Sequence, residues 1–223
     1  MVAIVSGNNL GVSLSSLGTL AKWGSQGAAS QGRNGEQGYV NAATGNLILQ
    51  DFDDGLASYG NPFAAVRTYN SQGGFNDDNG DNWSSGIYGR QIAVSGTLLA
   101  TGSAIVRTGR DGAQSTYTFD VASQRYVSTA GAGAYDFFRY DATAGHLIWT
   151  DGDSGQAEVY EASGAGKLLS SADASGNTLT YNYVANGLLS SVADANGEVA
   201  FYEYVGNNLT QIRTQTTEAG VTK

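Results

Sequence analysis

Cysteine is missing from this chain of 223 residues, and proline occurs once, at Pro62. The lack of cysteine excludes disulfides, thiolate catalysis and zinc–thiolate sites, and leaves the compartment open. Charged residues are scarce, at 14% of the chain, and acids outnumber bases by 20 to 11. The resulting net charge of −9 makes a poor partner for nucleic-acid phosphates or anionic lipid. No apolar run reaches the length of a membrane-spanning helix. The opening segment Met1 to Ser6 is apolar but lacks basic residues, and Gly7, Asn8 and Asn9 interrupt it. It therefore does not read as a secretory leader. Histidine is limited to His146.

What the chain has in quantity is glycine, with 32 residues, and tyrosine, with 13. Together with few charges, this composition suits short strands joined by tight turns. The two residue types are also periodic. Gly176 precedes Tyr181 and Tyr183, and Gly197 precedes Tyr202 and Tyr204 at the same spacing. Looser copies are Gly112 with Tyr117 and Phe119, Gly133 with Phe138 and Tyr140, and Gly155 with Tyr160 and Ala162. The five glycines are separated by 21, 22, 21 and 21 residues. A second series interleaves with them: Gly145-His146-Leu147, Gly166-Lys167-Leu168, Gly187-Leu188-Leu189 and Asn207-Asn208-Leu209. One such unit cannot bury its own apolar face and must stack on its neighbours.

The repeat predicts two strands and two turns per period. Thr178 to Tyr183 alternates, with Leu179, Tyr181 and Tyr183 on one face. Asp173-Ala174-Ser175-Gly176 and Asp194-Ala195-Asn196-Gly197 place Asp and Gly at the first and last positions of a type I turn. Asn186-Gly187 is a tight-hairpin signal. Leu189 and Val192 lie three apart, as do Leu209 and Ile212, which breaks the alternation and predicts a bulge or burial on both faces. The identical spacing of Tyr181, Tyr183, Tyr202 and Tyr204 predicts a stacked row on neighbouring strands. The expected fold is all-β, with antiparallel hairpins stacked into a curved or spiralling sheet.

Three regions follow from composition. Residues 1–37 form a Gly/Ser/Ala-rich lead-in, with one short helix suggested by Leu10, Leu14, Leu17 and Leu20. Residues 38–110 hold strand-like runs at Asn46–Gln50, Ala64–Tyr69, Gln91–Ser95 and Ala104–Thr108. Residues 111–223 carry the repeat.

Gly187-Leu188-Leu189, Asp194-Ala195-Asn196-Gly197 and Tyr202-Glu203-Tyr204 follow one another in order, as do Gly166-Lys167-Leu168, Asp173-Ala174-Ser175-Gly176 and Tyr181-Asn182-Tyr183. This order resembles the YD repeats of the RHS family, the bacterial rearrangement-hotspot proteins. The aspartate that usually follows the second aromatic is present after Phe119 and Tyr140 but is replaced by Val184 and Val205. Val40 to Leu47, Arg67 to Ser71 and Asn82-Trp83 resemble the front region of the same family. The resemblance covers residues 38–214. It implies a structural role: part of a wound β-shell that encloses a C-terminal toxin absent from this chain, in a protein that is secreted or displayed on a bacterial cell surface. The partners it implies are the downstream shell and toxin of a longer polypeptide. The Asp-Pro junction of such shells has no counterpart here.

The alternative is a module that binds cell-surface carbohydrate, since rows of tyrosine can stack on sugars as well as fill an interior. An enzyme is not expected. His146 occupies the variable middle slot of its motif, and the aspartates recur at turn positions, where capping is the ordinary role. Neither cofactor nor metal is expected: the oxygen-rich segment Asn76 to Asn82 lacks EF-hand spacing and reads, like Asp51, Asp53 and Asp54, as solvated acid. The residues of interest are therefore structural: the five glycines, the aromatics Tyr117, Phe138, Tyr160, Tyr181, Tyr183, Tyr202 and Tyr204, and Leu147, Leu168, Leu189 and Leu209. The apolar strand near Leu209 to Thr214 is expected to leave an open edge through which the chain self-associates or frays.

Overall fold

A computed structural model describes residues 3–5, 37–41, 43–56, 63–73, 80–85, 90–109, 112–128, 135–215, 217–218 and 221–222. The helix expected at Leu10–Leu20, most of the lead-in up to Glu36, Gly133, and residues 76–79 of the acidic segment lie outside these.

The described chain is nearly all antiparallel strand. A first sheet contains β1 (Ala3–Val5), β2 (Gln37–Asn41), β3 (Leu47–Leu56), β4 (Phe63–Asn70) and β5 (Trp83–Ser85), in that order, with only β1 and β2 parallel. A second sheet has 12 strands. It begins with β6 (Gln91–Ser95), β7 (Ala104–Thr108), β8 (Gln114–Asp120), β9 (Arg125–Val127), β10 (Phe137–Asp141) and β11 (His146–Thr150). It continues with β12 (Ala157–Glu161), β13 (Leu168–Ala172), β14 (Thr178–Tyr183), β15 (Leu189–Asp194), β16 (Val199–Val205) and β17 (Asn208–Gln215). Each strand pairs with the next in sequence, so the sheet is one uninterrupted meander. A short ribbon of β18 (Thr217–Glu218) and β19 (Val221–Thr222) follows. The second sheet takes in β6 and β7, so the change of sheet falls between Ser85 and Gln91, ahead of the repeat that starts at residue 111.

The repeat acts through its turns. Gly176 and Gly197 close turns with N–H bonds to the carbonyls of Asp173 and Asp194, at 3.0 and 3.4 Å. Their φ values are +86° and +87°, the left-handed position of a three-residue hairpin loop with a glycine bulge. Gly187 does the same on the carbonyl of Val184, at 2.8 Å. Asn186-Gly187 is thus the end of a longer loop and not the centre of a two-residue turn. The turn aspartates cap backbone amides: Asp173 accepts from Ser175 and Asn177, and Asp194 from Asn196 and Glu198.

Bulges account for the broken alternation. Leu169, Ser190 and Thr210 are each skipped by the facing strand, at intervals of 21 and 20. One extra residue restores Leu189 and Val192 to the same side, and both are buried. The Ser190 and Thr210 hydroxyls donate to the carbonyls of Asn182 and Glu203, both at 3.0 Å.

The apolar side of the sheet faces inward. One belt of cross-strand partners runs Phe119, Tyr126, Phe138, Trp149, Glu158, Ser171 and Leu179, from β8 to β14. A second runs Tyr140, Leu147, Tyr160 and Leu168. Tyr117 and Phe138 pack edge to face at 5.0 Å. The stacked row expected for the last four tyrosines is corrected by the topology. Tyr181 and Tyr183 lie on β14 and Tyr202 and Tyr204 on β16, with Leu189 and Val192 of β15 between them. The repeat is two strands long, so equivalent residues are always one strand apart.

The sheet curls back on itself. At the start of β6, Gln91 forms an antiparallel bridge with Lys167, the residue ahead of β13, and the Ile92 N–H donates to the Gly166 carbonyl at 2.9 Å. This seam brings the first edge of the sheet against the β12–β13 turn. Gly166 is required there: its φ is +61°, and a Cβ would overlap the Ile92 carbonyl oxygen.

Candidate functional site: an ion cluster behind the seam

The most unusual chemistry lies inside the wound sheet. Glu158 occupies the inward slot of β12 that Leu179 and Ala200 fill in the following repeats, 21 and 42 residues on. Its side chain is 2% exposed. A carboxylate in an aromatic belt must be paired or it would neutralise. Arg107 of β7 donates to Glu158 Oε2 from Nε at 2.8 Å and from Nη2 at 2.7 Å. Arg90, just ahead of β6, lies 3.5 Å from Oε1. The Tyr160 hydroxyl also donates to Oε2.

The cluster extends through aromatic rings. The Arg107 guanidinium stacks over Trp149, 3.8 Å from the ring centroid. Trp149 Nε1 donates to the Tyr117 hydroxyl at 3.0 Å, and Tyr117 reaches Asp136 Oδ2 at 3.5 Å. The other Asp136 oxygen accepts the Gly152 N–H at 3.0 Å. On the next strands the Tyr181 hydroxyl meets Ser171 Oγ at 2.9 Å. The network therefore ties β7 and the segment before β6 to β11 and β12, across the interior and behind the seam.

Its electrostatics suit holding rather than proton transfer. Burial would raise the Glu158 carboxyl, but the Arg107 and Arg90 charges and the Tyr160 hydrogen bond outweigh it and leave the group below its ordinary value. Burial pushes the Tyr117 hydroxyl up to about 12, and burial beside Glu158 raises Tyr160 well above the phenol range. Burial raises Asp136 too, with Asp151 adding to it against the Gly152 N–H. General acid–base work asks for a group poised near the working pH. In this network Glu158 is held charged and the tyrosines protonated.

The residues singled out by the repeat fall mostly into the same interior. Tyr117, Phe138, Tyr160, Leu147, Leu168 and Leu189 are at or near zero exposure, Tyr181 and Tyr202 are buried, and Tyr183, Tyr204 and Leu209 pack against them. Gly112, Gly155, Gly176 and Gly197 have positive φ and belong to turns. His146 stands apart from the network, half-buried at the first position of β11 opposite Asp141 and Glu161. Asp51 and Asp53 are not simply solvated: both bind Arg67, with Asp51 at 3.0 Å, while Arg67 lies against Trp83. Among the described residues no group of three or more His, Asp or Glu could hold a metal ion, and no helix is long and apolar enough to cross a membrane.

Sequence reasoning missed Glu158, Arg90 and Arg107. Glu158 carried a signal, being a carboxylate in the third position after a repeat glycine, where Leu179 and Ala200 are apolar. The arginines stand ahead of the regular repeat and carried none. Neither a family model nor a curated protein sequence matches the chain.

Proposed function

We propose that this chain is a scaffold, the filled opening part of an RHS-type shell whose sheet winds on to enclose a toxin carried by the longer polypeptide. The seam carries this reading. A meander that returns to touch its own first strand at Gln91 and Lys167, and then continues through β13 to β17, is a winding wall rather than a flat sheet. Within this stretch the wall encloses side chains, so it would serve as the closed end, with the wider compartment formed by later strands. A secreted or cell-surface setting goes with that role.

The carbohydrate-binding alternative asks for accessible ring faces. Tyr117, Tyr126, Tyr160, Tyr181 and Tyr202 are buried, which favours the scaffold. The test is to express the longer reading frame with its C-terminal domain, with and without residues 90–215, and expose both to protease. Under the scaffold reading the C-terminal domain resists cleavage only when the wound sheet is present. Equal cleavage in both forms, or saturable binding of this chain on a glycan array, would overturn it.

A further inference from the structure

We propose that the free edge of β6, where it parts from the β12–β13 turn, binds an extended basic peptide by strand addition. Among the described residues β6 pairs with a strand, β7, on one side only. In an antiparallel ladder successive residues alternate between bonding to the partner strand and pointing away from it. The Ile92 N–H points away from β7 and is taken by Gly166. Val94, two residues on, has the same parity, so its N–H and C=O face the same way. The turn Ser163–Ala165 is exposed, and the bridge and hydrogen bond to this turn stand at Gln91 and Ile92. A cleft of about 630 Å³ opens between edge and turn, lined by Ile92, Val94, Leu98, Gln114, Glu161 and Gly166 among others. Its volume falls within the roughly 300–1,000 Å³ of ordinary ligand sites.

The lining specifies the occupant. An edge donor and acceptor two residues beyond the Ile92–Gly166 hydrogen bond recognise the main chain of another strand, as an extension of the Gln91–Lys167 pairing. Val94 and Leu98 offer apolar contact to alternate side chains of that strand. Glu161 is the ionisable side chain among the described lining residues, and it joins none of the salt bridges among the described residues. The nearby Lys167 ammonium is engaged over the Tyr183 ring at 4.9 Å. With a net charge of −9 behind it, the cleft favours a segment carrying lysine or arginine. This site is separate from the scaffold reading and stands or falls without it.

The probe is a fluorescein-labelled peptide that alternates valine with threonine and lysine, titrated against the full chain by anisotropy. Saturable binding is expected. Val94→Pro, which removes the outward N–H while sparing the ladder to β7, should weaken it by about tenfold or more, ~1.4 kcal/mol. The same peptide N-methylated on alternate amides should bind as weakly to the unaltered chain, a result that does not depend on how the proline variant folds. Glu161→Lys should reverse the preference between the lysine peptide and its glutamate counterpart. No saturation at millimolar peptide, or equal binding of the N-methylated peptide, overturns the proposal. So does light scattering in which Val94→Pro dissociates an oligomer and leaves peptide binding unchanged, because the occupant is then a second copy of the chain.

Discussion

At the residue scale, Glu158 shows how one side chain can decide a local arrangement. Two arginines face it, and replacing it by glutamine keeps the volume but leaves both guanidinium groups without a buried counter-ion. Glu158→Gln is expected to cost about 3–5 kcal/mol, the range for breaking a buried pair. Urea unfolding with an unchanged slope measures it; a loss under about 1 kcal/mol would mean that the pair is replaced without penalty. The pH dependence has a definite sign. The folded-state value of Glu158 lies below its ordinary 4.5, so its stabilisation is full above that value and is lost as pH falls through the lower, folded-state one. Asp136 acts oppositely: its value is raised, so its ionisation costs stability at higher pH and acidification relieves that cost. The gap in melting temperature between the native chain and Glu158→Gln should therefore narrow on acidification below the ordinary carboxylate range. A gap that stays constant would show that Glu158 is not the charged partner.

At the scale of the element, turns and bulges carry more of the fold than strand composition does. The glycines look alike in sequence but differ in space. Gly176 has φ of +86° with open space where a Cβ would go. Gly176→Ala should cost only the backbone strain, about 1–2 kcal/mol. Gly166 combines a positive φ with the Ile92 backbone at the seam, so Gly166→Ala adds a clash that must push β6 away. It should cost clearly more and should speed amide exchange at Ile92, while Gly176→Ala leaves that amide protected. Equal costs at the two positions would remove the seam from the list of structural determinants. The bulges act in the same manner: in a regular strand, with no bulge at Ser190, Val192 lies three residues after Leu189 and would turn to the opposite face.

For the whole molecule, the decisive feature is where the winding sheet has edges. The β6 edge is half covered by the β12–β13 turn. β17 is the last strand of the 12-strand order and, among the described residues, pairs only with β16. Its Leu209 and Ile212 are half-buried, with a cleft separating them from Asp53, Ala65 and Arg67 of the first sheet. That packing covers a face, and among the described residues no strand pairs with the other side of β17. The chain is therefore expected to self-associate with rising concentration, and amides of β17 should exchange faster than those of β11 to β13. A clean monomer by light scattering, with strong protection through Ile212, would show that this edge is closed.

The sequence by itself determined the all-β class, the two-strand period and the glycine-bearing turns between strands. For Leu189 and Val192 it left a bulge or burial on both faces, and the structure decided for the bulge. These rest on local rules: alternation on a pleated strand, the steric freedom of glycine and the spacing of apolar residues within one hairpin. Tertiary structure alone decided which strands meet after a full winding. Gln91 and Lys167 are 76 residues apart, and nothing in their local sequence marks them as partners. It also decided that Arg107 reaches Glu158 across 51 residues and that equivalent tyrosines are separated by a strand. Such pairings depend on the accumulated twist and curl of many strands, a property of the sheet that no single repeat encodes.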